Sequence, residues 1–191
     1  MKFPIRWIAL AVAAVVTVVG VVFAIQVGRG NTTPSMPRLV IEHAPAPNFT
    51  LQGLDGKTIA SKDLNDKTYV VNFFNSWCIP CLQEAPAMKA FYAEHKAEAD
   101  FAMVGIIIDD DASTMRGYVR GEGITWPVGV DPNGAASLSF GTTGQPETYV
   151  IAPDGVAVCG NLGPSTQTEL DQWLQAARSG PSPTSVISMP G

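Results

Sequence analysis

Cys78 and Cys81 stand two residues apart, directly after the strand-like run Tyr69-Val70-Val71-Asn72-Phe73-Phe74 and directly before a helical pattern. A strand that ends in Cys-Ile-Pro-Cys and turns at once into a helix places both sulfurs at one helix end. Backbone N–H groups and the positive end of the helix dipole stabilise a thiolate there, and the thiolate is the reactive form. A second thiol one turn further on can attack a mixed disulfide and close a ring. A structural disulfide or half a zinc site would use the same spacing. Zinc needs four ligands, and the only histidines are His43, in a Pro-rich stretch, and His95, at the far end of the helical pattern. No metal is expected.

The rest of the chain supplies an α/β frame for this junction. Asn48-Phe49-Thr50-Leu51 and Thr58-Ile59-Ala60 flank Asp55-Gly56, a hairpin signal. Leu82, Ala85, Met88 and Phe91 recur at helical spacing after the cysteines, with Pro86 expected to kink that helix. Ala102 to Ile108 is a continuous apolar run, as in a strand covered on both faces. A helix over 112–121, a strand over 127–130 and a short helix over 135–140 follow. Glu147 to Ile151 and Val156 to Cys159 read as a hairpin across Pro153-Asp154-Gly155, and Thr166-x-x-Glu169 resembles a capping box. It opens a helix with Leu170, Trp173, Leu174 and Ala177 on one face. This order predicts an α/β sandwich with a mixed sheet.

Trp7 to Ile25 carries no charge over 19 positions. At about 1.5 Å per residue a helix of that length spans roughly 28 Å, close to a bilayer core. It is longer than the apolar part of a cleaved signal peptide, and Val22-Phe23-Ala24 is a weak cleavage site, so an uncleaved signal-anchor is the favoured reading. Lys2 and Arg6 mildly place the N-terminus in the cytoplasm and the rest of the chain outside, where disulfide chemistry is permitted. The expected organisation is an anchor over 1–27, a linker over 28–43, a globular domain over 44–178 and a disordered Pro/Ser/Gly-rich tail over 179–191. The formal net charge is −5. That acidic balance argues against nucleic-acid binding, which needs a basic footprint.

Several segments together resemble a known family. Ala46-Pro47-Asn48-Phe49 with Leu54-Asp55-Gly56-Lys57 is similar to its opening hairpin. Asn72 to Cys81 is similar to its active-site segment. Glu84 and Pro86 match its acidic residue and proline after the second cysteine, and Gly144-Gln145-Pro146-Glu147-Thr148-Tyr149-Val150-Ile151 is similar to its cis-proline segment. The chain thus resembles the membrane-anchored, extracytoplasmic thioredoxin-like thiol–disulfide oxidoreductases, the TlpA/ResA/CcmG (DsbE) group, over about residues 44–178. The resemblance implies a thioredoxin-like fold with a mixed sheet flanked by helices, an N-terminal β-hairpin extension and an N-terminal transmembrane helix. It calls for no cofactor.

It also implies roles. Cys78 would be the nucleophile at an exposed helix start, and Cys81 the more buried resolving thiol, the two cycling between dithiol and disulfide. Pro146 would be cis and face the pair. For Glu84 a partly buried carboxylate that handles the thiol proton competes with a solvated acid favoured by the helix dipole. Glu147, in the Pro-Glu-Thr pattern of the family's cytochrome-maturation branch, is a similar case. Asn72 departs from the buried aspartate of cytoplasmic thioredoxins, which would leave proton handling to Glu84 or Glu147. Trp77 is expected to pack beside the disulfide. Cys159 reads as a small buried hydrophobe, with a third redox thiol or an intermolecular disulfide as sharper alternatives. Asp109-Asp110-Asp111 reads as a solvated strand-end loop.

The expected function is reduction of disulfides in substrate proteins, with the Cys-x-x-Cys-His haem site of apocytochromes c as a client and a membrane thiol-reductant transporter as electron donor. A disulfide-forming oxidase or isomerase competes, because Ile79-Pro80 does not fix the potential. A copper-delivery chaperone fits less well, since such relatives space their cysteines by three. So does a peroxidase, since Asn75 stands where peroxiredoxin-like chains place Thr or Ser.

Overall fold

The structure is a computed structural model and describes residues 14–19, 21 and 43–180. The chain divides into two compact units, up to Ser35 and from Met36 onward. In the first, residues 14–19 and 21 are helical, with Val15, Val16, Val18, Val19 and Val21 exposed. Among the described residues no helix is long and apolar enough to cross a membrane. Most of the 1–27 anchor, nearly all of the 28–43 linker and residues 181–191 of the tail lie outside the described residues.

The second unit is built on one eight-stranded sheet. Its elements are β1 (Ala44–Pro45), β2 (Thr50–Gly53), β3 (Thr58–Ala60), a 3-10 turn (Ser61–Leu64), β4 (Thr68–Phe74), α1 (Ile79–His95), β5 (Phe101–Ile107), α2 (Ala112–Glu122), β6 (Val128–Val130), α3 (Ala135–Phe140), β7 (Glu147–Ile151), β8 (Val156–Leu162) and α4 (Gln167–Arg178). The strand order is β1-β8-β7-β4-β5-β6-β2-β3. β4 pairs parallel with β5 and antiparallel with β7, and every one of its residues is buried. A strand so placed can carry apolar residues on both faces, which explains the unbroken run from Tyr69 to Phe74.

The two faces divide the core. Val70 and Phe74 of β4 and Val150 of β7 pack with Met88 and Phe91 of α1 and Leu170 and Leu174 of α4. Val71, Phe73, Tyr149 and Ile151 pack on the other face with Phe49 and Phe140. The expected hairpin at 50–60 forms as β2 and β3, and β2 extends the sheet through β6. α1 runs through Pro86 to His95, since a proline removes only one of its backbone donors. At its far end His95 bridges Glu98 through Nδ1 and Asp171 of α4 through Nε2, both at 3.0 Å. Burial lowers the His95 pKa, but these two carboxylates outweigh it and raise the value overall.

Candidate active site

Phe74 ends β4, and Asn75-Ser76-Trp77 carries the chain over the sheet edge into α1. Asp110, just beyond β5, holds this loop: its Oδ2 accepts from Ser76 N at 2.9 Å and from Ser76 Oγ at 2.6 Å. Trp77 Nε1 donates to the carbonyl of Asp109 at 3.2 Å. Asn75, wholly buried, reaches the carbonyl of Ile108 at 3.4 Å. Of the three aspartates read as a solvated loop, Asp110 is therefore a fixed support. Asp111 is the N-cap of α2 and accepts from Ser113 N and Thr114 N. The Ser113 and Thr114 hydroxyls also donate to it, and these two bonds, ahead of those from the amides, hold its carboxyl far below the usual carboxylate range.

Cys78 is the N-cap of α1 and forms a disulfide with Cys81, with their Cα atoms 5.2 Å apart. Cys81 N donates to Cys78 Sγ at 3.1 Å. A sulfur at this position faces the free N–H groups of the first turn, which is where a thiolate is stabilised. Cys78 is not the exposed residue expected from sequence. It is 4% exposed against 5% for Cys81. As an N-cap its sulfur folds back over the helix start, while the neighbours Trp77 and Ile79 project outward, 61% and 68% exposed. Trp77 therefore flanks the site from solvent and does not pack in the core.

Glu84 lies one turn beyond Cys81 and is 2% exposed, which removes the solvated reading. Its Oε2 accepts from Asn72 Nδ2 at 3.2 Å, and its Oε1 from Ser165 N at 2.9 Å. Asn72 Nδ2 also donates to Thr148 Oγ1 at 3.0 Å. Burial pushes the Glu84 pKa up to about 7, against the smaller opposing effect of hydrogen bonds from Ser165, Asn72 and Thr148. Glu84, Cys81 and Asn72 line one small cavity of about 10 Å³. A carboxyl with a pKa pushed up to about 7 thus shares this small space with the second cysteine. Ser165 and Thr148 are the parts of this arrangement that sequence reasoning missed. Ser165 was marked only by its place before the capping-box residue Thr166, and Thr148 only as part of the segment that resembles the family's cis-proline region, with no role of its own.

The Gln145–Pro146 peptide bond is cis. The pairing of Phe73 with Glu147 puts Pro146 at the end of the sheet that carries the cysteine loop. The carbonyl of Pro146 accepts from Gly163 N at 2.8 Å. Glu147 does not join Glu84. Successive strand residues face opposite ways, so Thr148 turns with Asn72 toward α1 while Glu147 turns to the other face. There its Oε2 accepts from Thr143 N at 2.9 Å and its Oε1 lies 2.5 Å from the Tyr149 hydroxyl. Among the described residues its hydrogen bonds go to Thr143 and Tyr149, on the face of the sheet away from Glu84. Cys159 lies on β8 opposite Val150, half-buried, and packs against the α1 side of the core. Among the described residues, Glu94, His95 and Asp171 bring ligand-type atoms together at the far end of α1, away from the cysteines.

A disulfide closed across one helical turn, on a sheet with this strand order, serves to exchange with other thiols; the molecule is a thioredoxin-like thiol–disulfide oxidoreductase. The chain belongs to the AhpC/TSA family, whose pattern matches residues 43–158. It is similar to the thiol-disulfide oxidoreductase ResA of Bacillus anthracis, 31% identical over 130 residues that cover 68% of this chain and 75% of that protein. It is also similar to the thiol:disulfide interchange protein CycY of Rhizobium leguminosarum bv. viciae, 32% identical over 71% of this chain and 69% of that one. Among solved structures, a thiol:disulfide interchange protein of the thioredoxin family from Chlorobium tepidum TLS matches with a TM-score of 0.64 at 31% identity. That match covers 70% of this chain and 94% of the other.

Proposed function

We propose that the chain is a membrane-anchored, extracytoplasmic reductase of disulfides in substrate proteins, with the Cys-x-x-Cys-His haem site of apocytochromes c as a client. The Cys78 thiolate attacks a client sulfur, and the client's other sulfur leaves as a thiolate. Cys81 then passes its proton to the Glu84 carboxylate and attacks Cys78 Sγ. The client leaves with both sulfurs reduced, and the chain is left with its Cys78–Cys81 disulfide. Two electrons have moved to the client, and a dithiol donor in the membrane restores the chain.

The observation that carries this reading is Glu84, a buried carboxyl with a pKa near 7 beside the buried Cys81. A resolving thiol inside the core cannot ionise into water, so it needs a base of matched pKa within the fold. The Pro146-Glu147-Thr148 pattern supports the cytochrome client by family resemblance, and the apolar run before residue 26 supports the anchor. Equilibration of the chain with dithiothreitol or glutathione tests the direction. A potential well below about −200 mV is the expected result, and one near about −120 mV, where strong oxidants sit, would contradict it.

A further inference from the structure

The loop that runs from α3 to Pro146 is tied to two side chains of β7. Thr143 N donates to Glu147 Oε2 at 2.9 Å. The Tyr149 hydroxyl lies 2.5 Å from Glu147 Oε1 and 3.1 Å from the carbonyl of Phe140, the last residue of α3. Tyr149 is wholly buried, and its ring meets Phe73 and Phe140 edge-on with centroids 6.1 and 5.1 Å away. That packing fixes where the hydroxyl can be. Burial, with the adjacent Glu147 carboxyl, keeps the phenol protonated by raising its pKa well above the usual range.

Glu147 is 1% exposed, and among the described residues no basic side chain bonds it. A buried carboxyl without a cation is costly, and an apolar residue would suit this strand position better. Its hydrogen bonds among the described residues go to Tyr149 and to the loop. The loop, in turn, borders a cavity next to the residues that hold the cysteine loop. Thr142, Thr143, Gly144 and Gln145 line one side of a cavity of about 450 Å³, which Asp109 and Asp110 also line. These two aspartates hold Trp77 and Ser76, the residues immediately before Cys78. Asp131 to Gly134 and Ser137 line the rest of the cavity. It adjoins the Cys78 loop only through Ile108, Asp109 and Asp110, and the Pro146 turn only through Gln145, so a client segment joined to Cys78 has room to extend into it.

We propose that Tyr149, acting through Glu147, is a positioning residue that fixes the loop over 141–145 as one wall of the client groove. The inference needs only thiol exchange at Cys78 and holds for either direction of electron flow, so it survives even if the reductase reading fails.

Tyr149→Phe keeps the packed ring and removes the hydroxyl. In the full reduced chain, the rate constant toward a synthetic peptide with an intramolecular Cys-x-x-Cys disulfide should fall about tenfold, the scale of one lost positioning hydrogen bond. The rate toward 2-hydroxyethyl disulfide, too small to use the groove, should stay within about twofold. The Thr143 amide should lose protection from hydrogen exchange. Glu147→Gln keeps an acceptor for Thr143 and should retain that protection, whereas Glu147→Ala should lose it, with no further change on adding Tyr149→Phe. An unchanged peptide rate and unchanged Thr143 protection in Tyr149→Phe would overturn the inference. So would an equal fall in both rates, which marks general loosening and not a groove.

Discussion

Glu84 is held in the core by three elements far apart in sequence: its own helix α1, Asn72 on β4, and the Ser165 amide before α4. Its pKa of about 7 against an ordinary 4.5 has a consequence for stability as well as for catalysis. The folded chain holds this proton more tightly than the unfolded chain does. Folding stability from this residue is therefore full below about pH 4.5 and falls as pH rises toward 7, by about 3 kcal/mol in all. Glu84→Gln should remove that fall, read as the difference between variant and parent in urea unfolding at pH 4.5 and pH 8. The same substitution should shift the titration of the Cys81 thiol, and an unchanged thiol profile would separate Glu84 from the proton step. The sequence exposed Glu84 because helical spacing puts residue 84 on the face of residue 81. It could not expose Ser165, 81 positions away, nor show that Glu147 points to the opposite face. Those facts depend on which strands neighbour one another and in what register.

At the scale of elements, α4 matters because its first turn supports the site. Thr166 accepts from Glu169 N, and Glu169 Oε2 accepts from Thr166 N at 2.7 Å, a reciprocal cap. Ser165, which holds Glu84, is the residue just before it. Thr166→Ala should cost about 1 kcal/mol, read as a lower urea midpoint with an unchanged slope. No shift in midpoint would mean that packing of Leu170 and Leu174 alone fixes the helix start. The capping box was visible in sequence because it is a local signal. So were the hairpin of β2 and β3 and the long apolar β5. The two-residue β1, paired to β8, carries no periodicity to read, and the pairing of β6 with β2 joins segments over 70 positions apart. Short strands are defined by their partners and not by their own residues.

At the scale of the whole second unit, the fold brings two loops 68 positions apart in sequence together at one end of the central strands β4 and β7. One carries Cys78 as a helix cap, and the other carries cis Pro146. In the proposed cycle Cys78 attacks the client and Cys81, beside Glu84, resolves the mixed disulfide. Mixed-disulfide trapping tests that division of labour. Reduced Cys81→Ser and Cys78→Ser chains are each mixed with an oxidised Cys-x-x-Cys peptide, quenched with acid and mapped by mass spectrometry. A stable peptide adduct is expected on Cys78 in the Cys81→Ser chain, and little adduct in the Cys78→Ser chain. An adduct that forms on Cys81 or Cys159 as readily as on Cys78 would contradict it.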